Sequence, residues 1–169
     1  MSQAPTPARP PAPALIRRDG TVLGFDVGAR RIGVAVGSAF GHGARALAVV
    51  DVHGHGPDWS ALDRLYKEWR PDGLIVGDPM TLDGGDQPIR VRAHAFGREL
   101  QARYRLPVAL VDERLSSIEA AQRFAADRAQ GRKRRRDAEA LDAIAAAVII
   151  ERWLAAPGDA LALSEQPPE

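Results

Sequence analysis

Apolar and small residues alternate from Thr21 to Gly37, a pattern that predicts two short strands joined by a tight turn. Val22, Leu23, Phe25 and Val27 make a β-favouring run, and Ile32, Val34 and Val36 alternate with Gly33, Ala35 and Gly37. Gly28-Ala29-Arg30-Arg31 is the connector, with glycine at its start, where a positive φ is easiest. Ala44 to Val52 reads as a third strand, broken by Gly54-His55-Gly56-Pro57. Trp59, Leu62, Leu65, Tyr66 and Trp69 then recur at helical spacing behind Asp58, a cap, and the helix runs to about Arg70. Those tryptophans suit packing better than base stacking. Leu74-Ile75-Val76-Gly77 is a continuous apolar run, as in a strand buried on both faces.

The second half alternates in the same way. Turn residues make a loop of 78–86, and a helix follows from about Gln87 to Arg105 with Ile89, Ala93, Phe96 and Leu100 on one stripe. Leu106 to Val111 is the next strand, with Asp112-Glu113-Arg114 at its exit. Ser116-Ser117-Ile118-Glu119 has capping-box spacing and opens a further helix. A last helix runs from Asp137 to about Leu154, with Leu141, Ile144, Ala145, Val148 and Ile149 as its apolar face. The order β-β-β-α-β-α-β-α-α predicts a mixed α/β sheet with helices on both faces. In such sheets sites gather at the carboxyl ends of neighbouring strands, and Asp26, Asp78 and the Asp112-Glu113 pair all stand at such ends.

Composition narrows the chemistry. The 169 residues are 45% hydrophobic, enough for one domain with a real core, expected over 20–155. Residues 1–19, Pro/Ala-rich, and 156–169 read as disordered tails. Cysteine is absent, which excludes disulfides, thiolate zinc sites and thiol nucleophiles. No apolar run approaches a membrane span, so no membrane partner is expected and a cytoplasmic location is the default. Net charge is only +1, yet the arginines bunch between Arg128 and Arg136, which suggests one edge that faces a polyanion.

Carboxylates brought together from separate strands repel unless a cation lies between them, and Mg²⁺ or Mn²⁺ suits an oxygen-only set. The last helix offers a third acid, Asp142, on the same side as the small residues Ala145 and Ala146, which permit close approach to the sheet. Such a site supports in-line displacement at a phosphodiester. Taken alone, Asp26 also suits bonding to turn amides, and Asp142 suits an ordinary polar helix position; the coincidence with Glu113 favours the metal reading. Arg132, Lys133, Arg134, Arg135 and Arg136 are candidate phosphate contacts, as are Arg30 and Arg31 in the first turn and Arg114 beside Glu113. His53-Gly54-His55 reads as a solvated loop in preference to a soft-metal site.

Four motifs in order carry a resemblance: G-F-D-V-G-A-R-R-I-G-V-A-V, I-V-G-D-P-x-x-x-D-G, V-D-E-R-L-S-S-x-E-A and D-A-I-A-A-A-x-I-I. Together they resemble the YqgF family, also called RuvX, of pre-16S rRNA nucleases and Holliday junction resolvase-like proteins, over about Thr21 to Leu154. The resemblance implies a ribonuclease H-like fold with a five-stranded sheet in the order 3-2-1-4-5, strand 2 antiparallel. It implies a divalent-metal nuclease with Asp26, Glu113 and Asp142 as catalytic acids and metal ligands. Maturation of the 5′ end of 16S rRNA is the implied role, with branched DNA a second substrate class; a monomer or a homodimer is compatible with the chain. Three positions depart from the family pattern. Ala29-Arg30 replaces a Thr or Ser with Lys, Ser38-Ala39 replaces Ser-Asp, and Asp78 takes a usually apolar place, as a further ligand or, preferably, a hydrogen-bonding loop acid. Two other classes stay open: an ATP-handling protein, since D-x-G-x-x-x-x-G-V-A also resembles a phosphate hairpin, and a non-catalytic nucleic-acid-binding module.

Overall fold

In the computed structural model, which describes residues 16–17, 19–38, 43–79, 88–112, 137–156 and 160–163, the alternating stretch forms β1 (Thr21–Val27) and β2 (Arg31–Ser38). They pair antiparallel, with Thr21 opposite Ser38 and Asp26 opposite Gly33. β3 (Gly43–His53) adds antiparallel to β2, and a two-residue β4 (Gly56–Pro57) folds back on Val52 and His53. α1 (Trp59–Trp69) follows, then β5 (Gly73–Asp78), α2 (Pro88–Tyr104), β6 (Val108–Asp112), α3 (Asp137–Ala155) and a two-residue β7 (Leu161–Ala162). β5 lies parallel to β1, and β6 parallel to β5.

The sheet order is β4-β3-β2-β1-β5-β6-β7. Its five longer strands keep the expected order, with the second strand antiparallel. The two short edge strands are additions that the sequence did not announce. The Gly54–Pro57 segment, expected only to break β3, reverses tightly enough for Gly56 to pair with His53, helped by a φ of 119° that glycine alone takes easily. Parts of both expected tails also join the fold. Ile16 is buried against Gly73, and β7 pairs with β6 while Leu163 tucks in beside Gly97.

Strand alternation splits the core into two. Leu23, Phe25, Val27, Ile32, Val34 and Val36 face α1 and α2, where Phe25 meets Phe96 edge-on at 5.3 Å and Trp59 stacks on Phe96 at 5.8 Å. The tryptophans are therefore packing residues, as expected: Trp69 is covered by the Arg45 guanidinium at 5.2 Å. Asp58 caps α1 by accepting from the Ala61 N–H, and Arg70 closes the helix in the left-handed region with φ 43°. α1 and α2 are further tied by Asp63, which accepts from Arg103 and from the Tyr104 hydroxyl at 2.7 Å.

The opposite face carries α3. Val22, Ala35, Ile75, Ala109 and Val111 meet Ala146, Ala147, Ile149, Ile150 and Trp153 there. The expected stripe is only part of what α3 buries. Every residue from Ala145 to Ile150 is buried, because Ala-Ala-Ala-Val-Ile-Ile is apolar all round and hides the helical period.

What lets α3 lie so close is a row of glycines. A Cβ at Gly33 would overlap the carbonyl oxygen of Asp142, and one at Gly37 would stand 2.6 Å from Ile150 Cγ2. A Cβ at Gly24 would overlap Ile150 and stand 3.2 Å from the Ala146 carbonyl. Asp142, Ala146 and Ile150 are one i, i+4, i+8 row, and these glycines are the groove it fills.

Two consequences are measurable. Gly33→Ala should lower stability by about 1–3 kcal/mol, the scale of overpacking against backbone that cannot yield. An unshifted urea midpoint would show that α3 does not sit on that strand. Asp63 is held down to about 2, first by its hydrogen bond from Arg103, then by that from Tyr104. A depressed carboxylate stabilises the fold above its unfolded value and loses that contribution as pH falls through about 4 towards 2. Wild type should therefore lose more stability than Asp63→Asn between pH 5 and 2, read from urea midpoints at each pH.

Candidate functional site

β1, β5 and β6 end at the same edge of the sheet, and their last residues bring Val27, Asp78 and Asp112 to it. The faces differ. Val22 and Gly24 lie on the α3 side of β1, so Asp26, two residues on, projects to that side as well. It is half-buried and directly opposite Gly33, roughly 5 Å away between Cα atoms in an antiparallel pair. Gly33 is also the residue beneath the Asp142 backbone. The strand partner of Asp26 is thus the residue on which the backbone of Asp142, 116 positions later, rests. Glu113, the third expected acid, follows β6 immediately and lies outside the described residues, as do Arg114 and the basic segment with Arg132, Lys133, Arg134, Arg135 and Arg136.

Arg31 enters this spot as well. Its Nε donates to Asp142 Oδ2 at 2.8 Å. The hydrogen bond, and after it the charge of Asp142, press the guanidinium further into its charged form, with smaller help from Glu139 and Asp51. Asp51 lies opposite Arg31 in the β2–β3 register. Arg30, by contrast, is exposed at the turn, and its carbonyl accepts from Val52 N–H at 2.9 Å, which fixes the turn against β3. Of the two turn arginines expected to face phosphate, one is presented outward and the other is spent on an acid. Gly28 also differs from expectation. Its φ is not in the left-handed region; the residue is glycine because a Cβ would stand 2.8 Å from the Arg31 carbonyl, which the Gly28 N–H meets at 2.9 Å.

Asp78 belongs to the other face. It is 3% exposed, and α2 supplies both its partners: Arg90 Nε at 2.8 Å with Nη2 at 3.3 Å, and His94 Nε2 at 3.0 Å. Leu74 and Val76 share its side of β5, away from α3. The acid is therefore a fastener between β5 and α2, as the preferred reading held, and not a companion of Asp26. The available signal was the i, i+4 spacing of Arg90 and His94 on the helix that follows a buried strand end. His53 and His55 stand 6.4 Å apart by ring centroid, both exposed. Among the described residues, no three His, Asp or Glu side chains gather as a metal-holding group.

A mixed sheet in this order, with a helix seated across its first two strands, is the ribonuclease H-like fold, and comparison with known proteins agrees. A sequence model of the RuvX family, described as Holliday junction resolvase, matches residues 20–156. The chain is 74% identical over 153 residues to a protein of Xanthomonas euvesicatoria pv. vesicatoria named "Putative pre-16S rRNA nuclease", covering 90% of this chain and 99% of the relative. A protein of the same name from Xanthomonas axonopodis pv. citri is 73% identical over the same coverage. Among solved structures, Thermus thermophilus RuvC is similar in fold, with a TM-score of 0.52 at 19% identity, covering 85% of this chain and 99% of that one. The same protein in complex with a Holliday junction substrate gives a TM-score of 0.51 at 20% identity. This chain belongs to the RuvX family.

The tie between β5 and α2 is measurable. Asp78→Ala should lower the melting temperature, since it leaves Arg90 largely buried without its carboxylate, at a cost of about 2–4 kcal/mol. An unchanged melting temperature would show that Asp78 does not fasten α2 to the sheet.

Proposed function

We propose that this chain is a divalent-metal-dependent nuclease that hydrolyses phosphodiester bonds of nucleic acid in the cytoplasm, and that it processes the 5′ end of pre-16S rRNA. The observation that supports the reading is that Gly33, opposite Asp26 on the α3 face, also seats the Asp142 backbone, in a chain of this family. The names of its close relatives supply the RNA substrate. The family description favours a second substrate, the Holliday junction or other branched DNA.

The donor set fits Mg²⁺ or Mn²⁺. Carboxylate oxygens are hard ligands, and a chain without cysteine offers no thiolate to select zinc. Asp26, Asp142 and Glu113 are the proposed ligands. When bound, the cation would supply Lewis acidity at the phosphate and a deprotonated water as nucleophile. The protein's own part is placement. Asp26 sits on a strand paired on both sides, so its backbone cannot drift. Asp142 is carried by a helix seated in the glycine groove. Arg30, exposed on a turn that β3 holds, is placed to meet a substrate phosphate, and Arg114, Arg132, Lys133, Arg134, Arg135 and Arg136 extend that contact along the strand.

The test is a cleavage assay with Mg²⁺ or Mn²⁺ on a precursor-rRNA stem, single-stranded RNA, single-stranded DNA and a four-way junction. Wild type should cut, and Asp26→Asn should bind but cut more than about a hundredfold slower, beyond the loss typical of partners behind a metal ligand. Preference for the precursor stem supports the rRNA assignment, and preference for the junction transfers the site to DNA resolution. Binding without cleavage in wild type would leave a nucleic-acid-binding module.

A further inference from the structure

Arg31 occupies the oxygen that the proposed reaction needs. Its single hydrogen bond, Nε to Asp142 Oδ2 at 2.8 Å, is made between side chains 34% and 29% exposed. A one-point ion pair with that much water around it is readily exchanged. The surroundings are rich in negative charge: Glu139 lies one turn before Asp142 on α3, and Asp51 lies across the β2–β3 ladder. Asp26 is opposite Gly33, two residues along β2 from Arg31. Arg31 thus stands between carboxylates of α3 and β3, and it adjoins the outward Arg30.

We infer that Arg31 is an exchange cation: it and a divalent ion compete for the Asp142 carboxylate, and the arginine displaced by the ion turns to the substrate phosphate. The idea rests on the metal-nuclease reading and specifies how that site is controlled. The physical basis is charge. An ion of charge two interacts more strongly than a guanidinium with the same carboxylate, and a guanidinium left within a few ångströms repels it. A phosphate arriving at the turn offers Arg31 a replacement partner of matching geometry. Ion and substrate should therefore promote each other's binding, each removing the other's obstacle, and the promotion must be reciprocal. Held on Asp142, Arg31 also weakens loading of the acid site when no phosphate is present.

Calorimetric Mn²⁺ titration of wild type, Arg31→Gln, Asp142→Asn and Asp26→Asn tests this without reference to activity. Arg31→Gln should bind Mn²⁺ about tenfold tighter than wild type, the effect of removing one unit charge near the ion. Asp142→Asn should bind weakly whether or not Arg31 is present. Equal or weaker binding in Arg31→Gln, with binding lost in Asp26→Asn, would keep the metal site and overturn the exchange; weaker binding would make Arg31 a holder of Asp142's orientation. Absence of Mn²⁺ binding in all four proteins would overturn the exchange and the metal-nuclease reading together. Should Arg31→Gln fold poorly, the wild-type protein decides. The Arg31 Nε–H signal in ¹⁵N-labelled protein should shift or broaden on saturation with Mg²⁺, and an unchanged signal at saturation would overturn the proposal.

Discussion

The close seat of α3 on the β1–β2 hairpin is the constraint on which the rest of this molecule depends. Gly24, Gly33 and Gly37 remove the side chains that would hold the helix off the sheet. Into the space come the Asp142 backbone, Ala146 and Ile150, spaced one turn apart. Close packing there buries the α3 side of β1, β2 and β5. The same approach brings the Asp142 backbone over Gly33, the residue opposite Asp26.

The sheet divides its duties by face. On the α1–α2 side the polar groups serve to hold helices: Asp63 with Arg103 and Tyr104, and Asp78 with Arg90 and His94. On the α3 side, Asp26, Asp142 and Arg31 are each half-buried, and Asp142 accepts from Arg31.

The chain's membership of the RuvX family is joined by a fold likeness to Thermus thermophilus RuvC, with which about one-fifth of residues are in common. Within this chain the adjacent turn residues Arg30 and Arg31 have opposite fates, and Asp78 is a buried tie to α2.

Local pattern alone determined most of the elements and their order. Alternation marked β1 and β2, helical spacing and the Asp58 cap marked α1, and continuous apolar runs marked β5 and β6, because each of these signals is set by neighbours within a few residues. It also marked Asp26 as an acid in an unusual place, while Asp142 by itself suited an ordinary polar helix position. Tertiary structure decided the matters that depend on contact at long range. Gly33, opposite Asp26, received the Asp142 backbone, and Arg31, a turn residue by sequence, became the Asp142 counter-ion across 111 positions. Asp78 stood at the right edge but the wrong face, a distinction made only by strand register and by the arrival of Arg90 and His94. β7 and the burial of Ile16 were hidden for the same reason. Segments of low local preference become ordered when a core formed elsewhere offers them a strand edge or an apolar seat, and nothing in their own residues announces that offer.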